Sequence, residues 1–240
     1  MQRYFATTIL DNHVLLLRED AHHLVDVVRT SVGEKIEIVS GESVYLAEVK
    51  SLKPLDIVLL SPIAEKRELD DRVLLAFALL KGDHNDLIVE KGTELGVSSF
   101  LPFLCERTII KVPEGSEDGR LLRLRKIAQS SAQQCRRSLV PTVESYASFQ
   151  AILSQPADVK LFAYESLAGE SCTLTSMLSK NTKPSRVLLV VGPEGGFTPE
   201  EAQEAQKAGF TAVSLGRRIL RAETAAITCA SLAAAFGERD

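Results

Sequence analysis

The chain has 240 residues, 45% of them hydrophobic and 25% charged, with a formal net charge of −4. That size supports one large domain or two smaller ones, each with its own core. No apolar run approaches the ~20 residues that span a bilayer, and the opening MQRYF lacks the apolar block of a signal peptide, so a cytoplasmic protein without a membrane partner is expected.

The first 60 residues read as a small β-rich domain. HVLLL (13–17) and EKIEIVS (34–40) have strand character, Ser40-Gly41-Glu42 turns the second into SVYLAEVKSL, and DIVLL offers further pairing. Between the first two, Asp20 is expected to cap a short helix, AHHLVDVVRT, that ends before Gly33. His22 and His23 fall on that helix without partner ligands, so they are read as surface or packed histidines and no metal site is expected. The segment SPIAEKRELDD (61–71) is polar and charge-dense and reads as a linker dividing 1–70 from 71–240.

Beyond it the period changes. VLLAFALL is a buried-strand run, Asp83 caps a helix through Glu94 that Gly96 closes, and SSFLPFL is the next strand. There follow a basic helix, the region around Val140, KLFAYE, a helix near Leu174, RVLLVV, a capped helix, AVSLG and a final helix, ETAAITCASLAAAF. Strands alternating with helices argue for an α/β fold whose mostly parallel sheet has helices on both faces. The small residues of the last helix let another backbone approach closely, either its own sheet or a second subunit.

The four cysteines, Cys105, Cys135, Cys172 and Cys229, form no CxxC pair and read as reduced, packed thiols; no GxSxG elbow suggests serine hydrolysis. The net acidity first argues against nucleic acid, but charge is unevenly spread. Residues 1–70 hold 8 Lys+Arg against 12 Asp+Glu, whereas Arg120, Arg123, Arg125, Lys126, Arg136 and Arg137 lie in a stretch without acids. Leu121, Leu124, Ile127 and Ala128 recur on one face of that helix, which turns the basic side chains outward.

The stretch 188–224 carries the most chemistry. LLVV empties into Gly192-Pro193-Glu194-Gly195-Gly196, a loop that lets a ligand approach backbone at the carboxyl end of a strand. Neither the GxGxxG nor the GK[ST] phosphate spacing is present. A Glu in the cradle repels phosphate but suits ribose hydroxyls, an amino group or a sulfonium, which points to a nucleoside-like ligand such as S-adenosylmethionine. Thr198-Pro199-Glu200-Glu201 is a capping box with proline at the first helical position, and Gly209 ends that helix. At the next strand end stands Gly216-Arg217-Arg218-Ile219-Leu220-Arg221-Ala222-Glu223-Thr224, with three arginines suited to RNA phosphate or an anionic base.

GPEGGFTPEEAQEA followed by LGRRILRAETA resembles the C-terminal signature of the ribosomal small-subunit methyltransferase E family, within the SPOUT (trefoil-knot) methyltransferases. The likeness extends to Gln2-Arg3-Tyr4-Phe5, the His22-His23-Leu24 to Arg29 stretch, Lys91-Gly92-Thr93-Glu94-Leu95-Gly96, and Gln134-Cys135-Arg136-Arg137 before Val140-Pro141. The resemblance implies a PUA-like β-barrel RNA-binding domain over 1–70 and a knotted SPOUT methyltransferase domain over 71–240. It implies a homodimer that moves a methyl group from S-adenosylmethionine to N3 of one uridine in 16S ribosomal RNA of the small ribosomal subunit. Three residues depart from the pattern: Arg217 stands where proline is usual, Ala222 where threonine is usual, and Arg136 where a small residue is common.

On that basis Gly192, Glu194, Gly195, Gly196, Leu215, Gly216, Ile219, Leu220, Thr224 and Ala225 are expected to bind the cofactor. Arg3, Arg29, Arg136, Arg137 and Arg217 are expected to bind RNA. Arg218 and Arg221 take the electrostatic role in methyl transfer, with Glu223 or water as proton acceptor, Glu223 being equally suited to pair with an arginine. A SPOUT enzyme acting on a ribose 2′-hydroxyl, and a non-catalytic ribosome-assembly protein that binds RNA, are the alternatives.

Overall fold

A computed structural model describes residues 1–113, 116–167, 172–180 and 185–238. The chain divides into two compact units, the first made of residues 1–68 and 132–139, the second of 69–131 and 140–240.

In the first unit five strands, β1 (Arg3–Leu10), β2 (His13–Leu16), β3 (Lys35–Ser40), β4 (Ser43–Leu52) and β5 (Leu55–Ile63), close into a barrel in the order β1-β2-β5-β4-β3. Closure leaves no strand edge unpaired, and alternating positions fill the interior with Tyr4, Val14, Ile36, Ile38, Ala47, Val49 and Ile57 around Leu24. β5 runs on to Ile63, into the stretch read as linker. Helix α1 (Arg18–His22) continues as one π turn, His23–Val27. Asp20 is not its cap: Leu17 holds that position without a side-chain cap, and Asp20 is buried inside the helix, where its Oδ1 accepts from Gln133 Nε2 at 2.9 Å. His22 pairs with Asp26, and His23 Nδ1 meets the Tyr4 hydroxyl at 2.9 Å.

The second unit is built on a sheet of seven strands: β6 (Arg72–Ala78), β7 (Ser99–Leu104), β8 (Thr142–Val143), β9 (Ala147–Ser148), β10 (Val159–Ala163), β11 (Arg186–Val191) and β12 (Thr211–Val213). The order is β12-β10-β11-β6-β7-β8, with β9 also on β7, and every pairing is parallel. A parallel sheet must be covered on both faces, and the alternation along β6 shows how. Val73, Leu75 and Phe77 face a core shared with α2 (His84–Glu94), α3 (Gly119–Gln134), α5 (Leu174–Leu178) and α7 (Ala222–Gly237). Leu74, Ala76 and Ala78 face the opposite core, with α4 (Phe149–Leu153) and α6 (Pro199–Lys207). In α7 the buried positions are Ala222, Glu223, Ala225, Ala226, Cys229, Ala230, Ala233 and Gly237, so the small residues of that face are spent on close packing within its own unit. Helix α6 begins as its sequence dictates: Thr198 Oγ1 accepts from Glu201 N at 3.1 Å, the Glu201 carboxylate takes the Thr198 N–H at 2.9 Å, and Pro199 opens the helix.

Candidate functional site

The carboxyl ends of β6, β10, β11 and β12 point the same way because their pairings are parallel. The segments that leave those ends line one cleft of about 550 Å³, within the range typical of small-molecule sites. From β11 comes the glycine loop 192–196, from β12 the segment 213–221 apart from Arg217, from β10 Ala163, Tyr164 and Glu165, and after β6 comes His84 at the start of α2. Such a crevice outside the strand ends is where open α/β sheets take ligands.

Each wall has a local cause. The loop after β11 is a tight turn, closed by Gly196 N donating to Pro193 O at 2.9 Å, and Gly196 needs its φ of +66°. A Cβ there would lie 1.9 Å from Glu165 Oε1, so a side chain at this position would also have to displace the exposed Glu165 carboxylate. Glu194 Oε1 accepts from Lys81 N at 3.2 Å, and Arg107 donates to Gly195 O at 2.7 Å, tying the loop to the chain on either side of it. On the facing wall Gly216 has φ +117°, its N–H donates to Ser214 Oγ at 3.2 Å, and the Ser214 hydroxyl donates to Gly216 O at 3.1 Å. The third wall is the amino end of α7, where Ala222, Glu223 and Ala225 line the cleft beside Arg221, the helix's capping residue. The first N–H groups of a helix lack internal partners, so this wall presents donors and a positive dipole end.

Of the residues expected to bind cofactor, the cleft gathers Gly192, Glu194, Gly195, Gly196, Leu215, Gly216, Ile219, Leu220 and Ala225, but not Thr224, which is exposed on α7 away from it. Arg218, Arg221 and Glu223 are also among its lining. Glu223 is 9% exposed and faces the His84 ring, Nδ1 to Oε1 3.6 Å, instead of an arginine. His84, Tyr164, Glu165 and the Arg107 tie to the loop were not anticipated. His84 carries only the helix-start signal of its neighbour Asp83, and the other three belong to no motif, so spacing along the chain offered no cue to them.

The expected RNA residues divide. Arg29 and Arg136 are exposed in the first unit, each with a left-handed backbone, φ +58° and +60°, and Arg217 is exposed outside the cleft of the second. Arg3 and Arg137 are corrected: they are 3% and 4% exposed and their guanidiniums are consumed internally. Arg3 pairs with Glu37 at 2.8 Å and Glu65 at 2.6 Å and donates to Arg136 O at 2.6 Å. Arg137 pairs with Glu68 at 2.6 Å, whose carboxylate also takes the Ser138 and Leu139 N–H groups. A buried cation held by carboxylates is a structural group and has no fork left for phosphate. The basic stretch of α3 is partly neutralised as well, Arg123 by Asp86 and Arg125 by Glu117.

Comparison with known proteins fits this geometry. Residues 67–234 match a family model described as an RNA methyltransferase domain, and residues 16–60 match one described as an RNA methyltransferase PUA domain. The ribosomal RNA small subunit methyltransferase E of Bacillus subtilis (strain 168) is 36% identical over 214 residues, 86% of this chain and 84% of that protein. The crystal structure of a ribosomal RNA small subunit methyltransferase E from Neisseria gonorrhoeae bound to S-adenosyl methionine superposes with a TM-score of 0.83 at 30% identity, covering 96% of this chain and 95% of that one. A putative methyltransferase from Legionella pneumophila in complex with the bound cofactor SAM has a TM-score of 0.86 at 26% identity, covering 98% and 97% of the two chains.

Proposed function

This chain belongs to the ribosomal RNA small subunit methyltransferase E family of RNA methyltransferases, and from that premise we propose that it transfers the methyl group of S-adenosylmethionine to N3 of one uridine in 16S ribosomal RNA. The observation that carries the reading is the joining of the 192–196 loop and the 215–221 segment in one cleft whose walls suit that cofactor. Backbone of Gly192, Gly195, Gly196 and Gly216 gives close approach, Leu215 and Leu220 give apolar sides, and carboxylates rather than phosphate-binding lysines stand around them. A cationic, phosphate-free nucleoside matches that set. When bound, S-adenosylmethionine supplies an electrophilic methyl on a positively charged sulfur.

The chain's own residues do the rest. Holding an unpaired uridine against the donor converts the reaction into an intramolecular one. Arg218 and Arg221, whose guanidiniums stay protonated, stabilise the anion left when N3 gives up its proton. Exposed Arg29 and Arg136 of the first unit and Arg217 of the second supply phosphate contacts, the first unit, which residues 132–139 join, serving as the RNA-binding module and the second as the methyltransferase domain. The same reading makes the active protein a cytoplasmic homodimer with a trefoil-knotted chain path around the cleft; among the described residues no helix is long and apolar enough to cross a membrane.

Mass spectrometry of 16S ribosomal RNA from cells lacking this protein, before and after adding purified enzyme and S-adenosylmethionine, tests the reading. The expected result is one N3-methyluridine, missing in the first sample and restored in the second. A restored 2′-O-methyl, or no restored methyl, refutes it.

A further inference from the structure

Methylation at N3 requires a group that takes the imide proton, and the cleft's arginines cannot, because a guanidinium is already protonated. Among the carboxylates, Glu194 Oε1 takes the Lys81 N–H, and Glu165, beside Gly196, is exposed and free to swing aside, so neither is a fixed and open acceptor. The remaining combination is His84 with Glu223. His84 is the first residue of α2 and its side chain is 40% open; the Glu223 carboxylate, 12% open, stands behind the ring with Oε1 3.6 Å from Nδ1. Glu223 lies in the first turn of α7, where the helix dipole favours a charged carboxylate. The carboxylate stands on the Nδ1 side at ion-pair rather than hydrogen-bond distance, which favours a proton on that nitrogen and leaves Nε2 as the lone-pair acceptor.

Resting on the N3-methylation reading above, we propose that His84 is the proton acceptor for the uridine imide and that Glu223 is its positioning residue. The N3–H bond breaks with its proton passing to His84 Nε2. The electron pair left on N3 forms the new N–CH3 bond, and the pair of the sulfonium's C–S bond stays on sulfur, giving a neutral thioether. The imidazolium so formed is balanced by Glu223. Balance is needed, since Arg218 and Arg221 share the cleft and repel a third cation. On α2 itself Asp83 precedes the ring and Asp86 is held by Arg123, and Tyr164 is the remaining titratable group of the lining.

The test measures single-turnover methyl transfer at saturating S-adenosylmethionine from about pH 5 to about pH 9, with cofactor binding followed separately by calorimetry and His ring protons by NMR. Wild type is expected to lose rate on the acid side as one group protonates. His84→Gln should transfer methyl about 10²–10³-fold more slowly, without that acid limb, while cofactor affinity changes less than about threefold. Added imidazole should restore part of the rate to His84→Ala. Glu223→Gln should lower kcat for methyl transfer while leaving KM for RNA and cofactor affinity little changed, and Glu223→Asp should retain part of the rate. His84→Gln within about threefold of wild type and keeping the acid limb overturns the proposal, as does a rate loss matched by an equal loss of cofactor affinity. Wild type that transfers no methyl to N3 overturns the function reading itself and this assignment with it, so the two failures are told apart.

Discussion

Gly196 puts the architecture of the cleft to a quantitative test. Its φ of +66° places it in the left-handed region, where a side chain costs about 1–2 kcal/mol. A Cβ would also fall 1.9 Å from Glu165 Oε1, but Glu165 is exposed and its carboxylate can swing aside, so the backbone contribution dominates. In Gly196→Ala the turn relieves that strain by shifting, and the shift should appear as a roughly 5- to 30-fold weaker S-adenosylmethionine affinity in titration calorimetry. Gly209 provides the control: its φ is +87°, nothing lies within 4 Å of an added Cβ, and it closes α6 away from the cleft. Gly209→Ala should lower thermal stability by a comparable about 1–2 kcal/mol and leave cofactor affinity unchanged. Adding Glu165→Ala to Gly196→Ala should recover only the part due to the clash. Wild-type affinity in Gly196→Ala, or equal affinity losses in both glycine variants, would refute the reasoning.

Three further outcomes follow from the geometry. Arg221→Ala should reduce methyl transfer about 10²-fold or more and cofactor affinity far less if, as proposed, its charge acts on the base anion; parallel losses in turnover and calorimetry would contradict that role. Arg137→Ala removes one member of a buried pair and strands Glu68 with its charge, so chemical denaturation should show about 3–5 kcal/mol of lost stability, whereas the exposed Arg136→Ala should stay within about 0.5 kcal/mol and affect RNA binding only. Tyr4 is pushed from 10.0 up to about 12 by burial and then by the Asp20 and Glu34 carboxylates. The folded state therefore keeps a proton that the unfolded chain releases. Stability of the first unit should be intact below pH 10.0 and decline as pH rises toward about 12, and absorbance titration should show a tyrosinate component near 12 that Tyr4→Phe abolishes.

What was legible in the sequence was local. The capping box at 198–201 specifies α6 through contacts three residues apart, and the glycine loop marks the end of β11 because a turn with the backbone of Gly196 favours glycine. The alternation of strands and helices fixed the layered sheet for the same reason. Buried charge was not legible. Arg3 and Arg137 look like any surface arginine until the barrel closes and brings Glu37, Glu65 and Glu68 to them. Asp20 looked like a cap, being an acid at the start of an apolar-periodic run, but the helix starts at Arg18 and the carboxylate is consumed by Gln133. His84 escaped notice because its partner sits at the far end of the chain, and the two meet only where α2 and α7 both begin at the sheet's carboxyl edge.

Photo-crosslinking of S-adenosylmethionine to the intact protein, followed by peptide mapping, tests most directly whether the cleft is the methyl donor's site. Label should fall in peptides carrying residues 192–196 or 213–225 and be displaced by excess S-adenosylhomocysteine. Label confined to the barrel or to α3, or label indifferent to the competitor, would contradict the account.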